Sequence, residues 1–386
     1  MKTIAVVTTS RADYGINLPV MQAIQAEPEL QLRLLVSGMH LSPEFGLTVD
    51  MIDADGFDIA ERVEMLLSSD TPEGIAKSIG IGIMGFSQVL ARSRPDILVV
   101  MGDRYEMYAA AVAALPFKIP VAHIHGGDVT EGAIDDALRH SMTKLSHLHL
   151  VATEMSARRV EQMGEESWRI HVCGETSLDN LHTIRFLSME ELRERYGIDV
   201  EPPPILVTYH PVTLEYEQTE WQINELLKAL ERFRLPVVFT MPNADVGNNI
   251  IRGIITDYAM NHSNVWCLEN MGIQGYFSLM RLAAVMVGNS SSGIVEAPSF
   301  KLPVVNIGSR QKGRIRAANV LDVGYVQEEI ARGIAEGLSD AFRDGLQDLV
   351  NPFGDGHAAG RIVDVLKNIE INSILLKKKF IDLKTN

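Results

Sequence analysis

The feature that most constrains this chain is a recurring unit: a short apolar run, an abrupt turn, then a helical pattern. Ile97–Met101 breaks into Gly102, Asp103 and Arg104, and residues 119–124 break into His125, Gly126, Gly127 and Asp128. Runs of about four to eight apolar, β-branched-rich residues bounded by turn residues read as parallel strands buried on both faces. Similar runs at 3–9, 32–36, 146–152 and 169–173 have helical patterns between them at 17–26, 73–92 and 153–163. Strand alternating with helix predicts a doubly wound parallel sheet. A polar helix at 188–196 and then Pro202, Pro203 and Pro204 interrupt the pattern. It restarts with strands at 205–209, 236–240, 265–268, 283–287 and 303–307. The chain thus reads as two α/β domains, 1–185 and 204–365, followed by a C-terminal tail at 366–386, whose Lys-rich amphipathic stretch 371–386 is expected to be a helix with a frayed end.

Composition narrows the chemistry. With 35 Lys and Arg against 50 Asp and Glu, the net charge is −15, which argues against a general nucleic-acid or anionic-membrane surface. Cys173 and Cys267 lie far apart in apolar runs and read as buried free thiols of a reducing compartment. The N-terminal run is too short for a secretion signal, and no unbroken apolar stretch of membrane-spanning length is present, so the expected location is cytoplasmic.

Ligands of open α/β sheets bind outside the carboxyl ends of the strands, so the residues there matter most. Asp103 is a candidate acid or base, or the N-cap of the helix after it. Asp128, Asp135 and Asp136 follow the next strand, and an acid pair there can share protons. By helical spacing Asp135 faces Arg139 and Asp136 faces His140. His123 and His125 share a strand face and with Asp128 approach a metal set, but no third nitrogen ligand is evident and no metal is expected. Arg11 and Arg104 are candidate diphosphate clamps, and His210 closes a strand of the second half. Residues 288–293, GNSSSG, form a turn of small residues before a helix. Its amides suit a phosphate, and Glu296 one turn further suits ribose hydroxyls; the alternative is an ordinary serine-capped turn. Arg310 opens the densest basic cluster of the chain.

Taken together and in order, SRADYG (10–15), MGDRYE (101–106), HIHGGDVTEGAIDD (123–136), RHSMTKLSHLHL (139–150), YHPVT (209–213), PNADVGN (242–248), GNSSSG with Glu296, and NIGSRQKGR (306–314) resemble the hydrolysing UDP-N-acetylglucosamine 2-epimerases of sialic acid biosynthesis. Similar enzymes act on UDP-N,N'-diacetylbacillosamine on the way to legionaminic acid. The resemblance implies two Rossmann-like domains facing a cleft, the GT-B type, with UDP held chiefly by the second. It implies UDP binding by Ser290, Ser291, Glu296 and Arg310, with Arg11 and Asn243 nearby, and ligand contact by Arg104 and His210. Asp103 matches the family's acid after the third strand. Non-hydrolysing relatives carry glutamate where this chain has His125, and Asp128 is expected to take over its work. The implied reaction is elimination of UDP to a glycal and addition of water, giving UDP and the free manno sugar. No cofactor is implied, and a homodimer or homotetramer is expected. A GT-B glycosyltransferase and a non-catalytic UDP-sugar sensor are the competing readings.

Overall fold

The computed structural model describes residues 1–67, 71–129, 134–199, 201–241, 248–269 and 271–382. The chain divides into two compact units, Met1–His182 with Phe353–Asn386, and Thr183–Pro352.

The first unit holds β1 (Lys2–Thr8), β2 (Leu30–Ser37), β3 (Ile59–Val63), β4 (Ile97–Met101), β5 (Val121–Ile124), β6 (Leu148–Val151) and β7 (Ile170–Val172). All pair in parallel, in the order β3-β2-β1-β4-β5-β6-β7. Every residue of β4, β5 and β6 is buried, which is why these strands are apolar rather than alternating. Each buried aliphatic side chain there is worth about 1.5–3 kcal/mol. The second unit holds β8 (Ile205–Thr208), β9 (Val237–Thr240), β10 (Val265–Leu268), β11 (Val285–Gly288), β12 (Val304–Ile307) and β13 (Val320–Val323), in the order β10-β9-β8-β11-β12-β13. In each sheet the winding reverses beside the first strand, between β1 and β4 and between β8 and β11. Such a switch point leaves a crevice at the strand ends.

The division of the chain differs from the sequence expectation at its C-terminal end. The helix Ala358–Asn368 buries Ala359, Ile362, Val363 and Leu366 in the core of the first unit, against the helix Arg11–Ala26. Residues 353–365 therefore belong to the first unit and not the second. The tail is not an amphipathic helix. Among the described residues after Asn368, only Ser373–Leu376 is helical, and beyond it Lys378 reaches the buried Glu165 at 2.8 Å. Arg169, fully buried, donates to the carbonyls of Leu375 and Ile374 at 2.8 and 2.9 Å. Charge pairing and the buried Leu375 together fix this segment, and a helical hydrophobic pattern did not reveal it.

The helix Pro72–Arg92 packs on the helix Tyr105–Ala114 through Gly82, where a Cβ would stand 3.0 Å from that of Ala109. Among the described residues it is the one helix long and apolar enough to cross a membrane, with an 18-residue mean hydropathy of 1.3. The sequence reading found no such segment, because Lys77 and the scattered polar residues break any continuous run. Core helices of soluble proteins meet the same criterion.

Candidate active site

In the first unit the sheet brings acids to the ends of β4 and β5. Asp103, two residues beyond β4, does not cap the next helix; Arg104 occupies that cap position and makes no side-chain cap bond. Asp103 instead pairs with Arg139. Arg139 is only 6% exposed. Its Nη1 donates to the carbonyl of His125 at 2.9 Å and lies 3.7 Å from Asp128 Oδ2. One guanidinium thus joins the ends of both strands. Asp135 feels the charge of Arg139, as helical spacing suggests, but the arginine is buried and not on the surface. Asp128 also accepts from Ser156 Oγ at 2.6 Å. Gly127 makes that approach feasible: its φ is +78°, and a Cβ would meet the Ser156 carbonyl oxygen at 2.3 Å.

Asp135 and Asp136 open the helix Ile134–Leu145. Burial, and next the charge of Asp103, push the Asp135 carboxyl upward. A carboxyl raised in this way is suited to donating a proton. Asp136 lies 3.5 Å from His140 Nε2, as the spacing suggests. The two strand histidines do not share a face. His123 Nε2 lies 2.8 Å from the Gly102 carbonyl oxygen, and burial lowers its pKa to about 3. His125 has left-handed backbone, φ +61°, and its ring lies 3.1 Å from Glu175. No group of three or more potential metal-ligating side chains occurs among the described residues.

Arg11 is the exposed first residue of its helix, not part of a free turn, because Ser10 caps that helix. Arg104 forms a two-point pair with Glu106, at 2.6 and 3.2 Å. Glu106 is fully buried; burial raises its pKa, and Arg104 opposes the rise.

The second unit gathers its own polar group at the switch point between β8 and β11. Gly288 lets the strands close: its φ is +138°, and a Cβ would fall 2.0 Å from the Thr208 carbonyl oxygen. Asn289 then ties both strand ends together. Its Oδ1 accepts from the His210 amide and its Nδ2 donates to the His210 carbonyl, both at 2.7 Å. Its own carbonyl accepts from Arg310 Nη1 at 3.0 Å and from Gln311 Nε2 at 2.9 Å. Ser290 caps the short helix Ser291–Val295, and Glu296 follows at the C-cap. Burial, then the Arg310 charge, lowers the His210 pKa to about 3, which leaves its imidazole neutral near pH 7. Asn289 therefore joins His210 and Arg310, and Ser290, Ser291 and Glu296 follow it along the chain. Asn243 lies outside the described residues.

A family model described as UDP-N-acetylglucosamine 2-epimerase matches residues 22–367. The chain belongs to the UDP-N-acetylglucosamine 2-epimerase family. It is therefore an enzyme of the UDP-sugar 2-epimerase group. It is 37% identical to a Campylobacter jejuni protein named GDP/UDP-N,N'-diacetylbacillosamine 2-epimerase (hydrolyzing), covering 99% of each chain. It is 36% identical to a Legionella pneumophila protein named UDP-N,N'-diacetylbacillosamine 2-epimerase (hydrolyzing), covering 98% of this chain and 99% of the other. Among solved structures, it resembles the Neisseria meningitidis UDP-GlcNAc 2-epimerase bound to UDP-GlcNAc, with TM-score 0.82 and 20% identity over 95% of this chain and 99% of that one. That likeness bears on the fold, two doubly wound α/β domains of the GT-B type.

Sequence reasoning did not single out Arg139, Glu106, Glu175 and Asn289, which contact the candidate residues Asp103, Arg104, His210 and Arg310 or the strand end at His125. Arg139 was visible as an arginine inside a motif, but helical spacing offered it a nearer acid. Asn289 sat between a glycine and three serines, where the serines drew attention.

Proposed function

We propose that this enzyme is a hydrolysing 2-epimerase of UDP-N,N'-diacetylbacillosamine, with UDP-N-acetylglucosamine as the alternative substrate. The products are UDP and the free manno-configured sugar, a precursor for nonulosonic acids such as legionaminic acid. The observation that carries the reading is the cluster of Asp103, Asp128 and Asp135 around Arg139 at adjacent strand ends. Proton transfer on two faces of one sugar ring needs more than one acid or base, and this cluster supplies them. The diacetylated substrate is favoured because the 36–37% identical relatives with near-complete coverage carry that name.

The C2–H bond breaks as UDP departs from C1, which leaves a glycal. Water then adds at C1 while a proton returns to C2 on the opposite face. Asp103, Asp128 and Asp135 or Asp136 carry the protons, with His210 as a further candidate group. Ser290, Ser291, Glu296 and Arg310 hold UDP, with Arg11, Arg104 and Asn243 as further contacts. Donors aimed at the departing diphosphate stabilise its developing charge. The balance of this reaction calls for no metal and no cofactor, and we place the enzyme in the cytoplasm as a homodimer or homotetramer.

The test is to incubate the protein with each UDP-sugar, without an acceptor, and identify products by NMR. Free manno sugar and UDP are expected, fastest from UDP-N,N'-diacetylbacillosamine. Sugar transfer that requires an added acceptor, or binding without turnover, would overturn the proposal.

A further inference from the structure

We infer that the outward face of the helix Pro72–Arg92 is the surface through which two copies of this chain pair, helix against helix and antiparallel. The inference deepens the homo-oligomer proposed above and does not depend on which sugar is turned over.

Three observations carry it. First, this helix is apolar on both sides. Its inward side is committed to the core of the first unit through Phe86, Val89 and Leu90. Yet only 33% of its 18-residue apolar window is buried. Ala76, Gly80, Met84 and Gln88, spaced four apart, are exposed, Met84 by 59%. From Ser78 to Ala91 no residue is charged. The solvent face of a surface helix ordinarily carries charge, and a helix apolar all round is one that something covers. Second, Gly80 stands in the middle of the exposed stripe, and a Cβ on it would meet nothing within 4 Å. Glycine inside a helix costs stability relative to alanine, and no neighbour within the chain takes up the space it leaves. With Ala76 one turn away, it lets a second helix approach closely. Third, the charges at the two ends are complementary across a two-fold axis. Glu73 lies about 15 Å before Ile83 along the helix and Arg92 about 13 Å after it, at 1.5 Å per residue. An antiparallel pair centred there sets Glu73 of one copy beside Arg92 of the other, and the symmetry repeats the contact. Within the chain Glu73 pairs with Lys77 and Arg92 with Glu61, both pairs exposed on the Glu73, Lys77 and Arg92 sides, so each end meets the opposite order of signs. A parallel pair would set like charges together.

A lipid surface fits this face less well. The inward side holds the helix in the core, the net charge is −15, and no lysine or arginine stands between Lys77 and Arg92. A second copy needs no such charges.

The test uses light scattering over a dilution series of wild type, Gly80→Glu and Met84→Glu in the full chain. Gly360→Glu, on an exposed helical glycine elsewhere in the first unit, is the control. Circular dichroism establishes that each variant is folded, which the open space over Gly80 leads us to expect. Wild type is expected to be a dimer or a multiple of one. Gly80→Glu and Met84→Glu should raise the dissociation constant by roughly 10²-fold or more, because a buried like-charge pair then faces itself across the axis. Gly360→Glu should leave it unchanged. A second measurement compares disulfide cross-linking of Met84→Cys and of Met260→Cys, whose methionine is 73% exposed on the helix Asn248–Met260. Met84→Cys should link roughly 10-fold faster or more, since the contact raises the effective concentration of the two thiols. Folded glutamate variants that keep the wild-type mass at every dilution, or equal cross-linking rates, would overturn the interface and leave the oligomer standing. A monomeric wild type that still releases UDP would overturn both the interface and the oligomer, not the epimerase reading. Flotation of wild type with phosphatidylserine vesicles, lost in Gly80→Glu, would assign the face to lipid and overturn the inference.

Discussion

At the residue scale, Arg139 is the junction of the first-unit cluster. It pairs with Asp103 and donates to His125, with Asp128 Oδ2 3.7 Å away. Removing one partner of a buried ion pair leaves the other charge uncompensated and is destabilising by about 3–5 kcal/mol. Arg139→Met is therefore expected to lower the melting temperature and to cut kcat by roughly 10²-fold or more, since the acids lose their common anchor. A variant with wild-type stability and turnover would remove Arg139 from the account. Arg310 makes the complementary prediction. Its guanidinium sits on the Asn289 carbonyl beside the serine loop. Arg310→Ala should weaken UDP binding by about 1.5–3 kcal/mol, roughly 10- to 150-fold in Kd by calorimetry; unchanged affinity in a folded variant would contradict its role. Sequence made Asp103, Asp128 and Arg310 visible because each follows an apolar strand directly. It hid Arg139, whose importance comes from meeting partners at the ends of two strands.

At the element scale, the buried strands were legible, as were the edge strands β7 and β10, but the edge strands β3 and β13 were not. β4 is ILVVM and fully buried, so its apolar run stands out. β3, IAERV, and β13, VLDV, carry charge and are partly exposed, so neither looked like a strand. Helix ends followed capping chemistry that position alone did not reveal: Ser10 accepts from the Asp13 amide, which starts the first helix at Arg11. The tail was misjudged because its partners are Glu165 and Arg169, far away in sequence. Truncation after Ile371 should leave Arg169 without its acceptors from 374 and 375, and Glu165 without Lys378. Arg169 keeps Glu166, and Glu165 keeps Lys144 and His149, so the expected loss is that of hydrogen bonds to charged groups, about 1.5–3 kcal/mol each, read as a lower melting temperature in calorimetry. An unchanged transition would mean that the tail adds no stability.

At the scale of the whole molecule, buried histidines set the response to acid. Burial holds His123 at about 3 and His147 at about 4, against an ordinary 6.5. Between pH 6.5 and about 4 the unfolded chain binds these protons and the folded chain does not. Their contribution to stability is therefore present above pH 6.5 and is lost as the pH falls towards their folded values. Each should remove about 1.4 kcal/mol per pH unit in that window. Glu106 and Asp135, both raised, offset part of the loss. Chemical denaturation at stepped pH checks this, and stability that rises from pH 6.5 to pH 4.5 would contradict it. The central claim is that the acids at the ends of β4 and β5 and on the helix that follows exchange the C2 hydrogen during loss of UDP. The direct test is turnover of UDP-N,N'-diacetylbacillosamine in D₂O, with the sugar product examined by NMR and mass spectrometry. The account predicts manno product carrying solvent deuterium at C2 in every molecule. Product that retains its original C2 hydrogen would mean simple hydrolysis at C1, and would contradict the account.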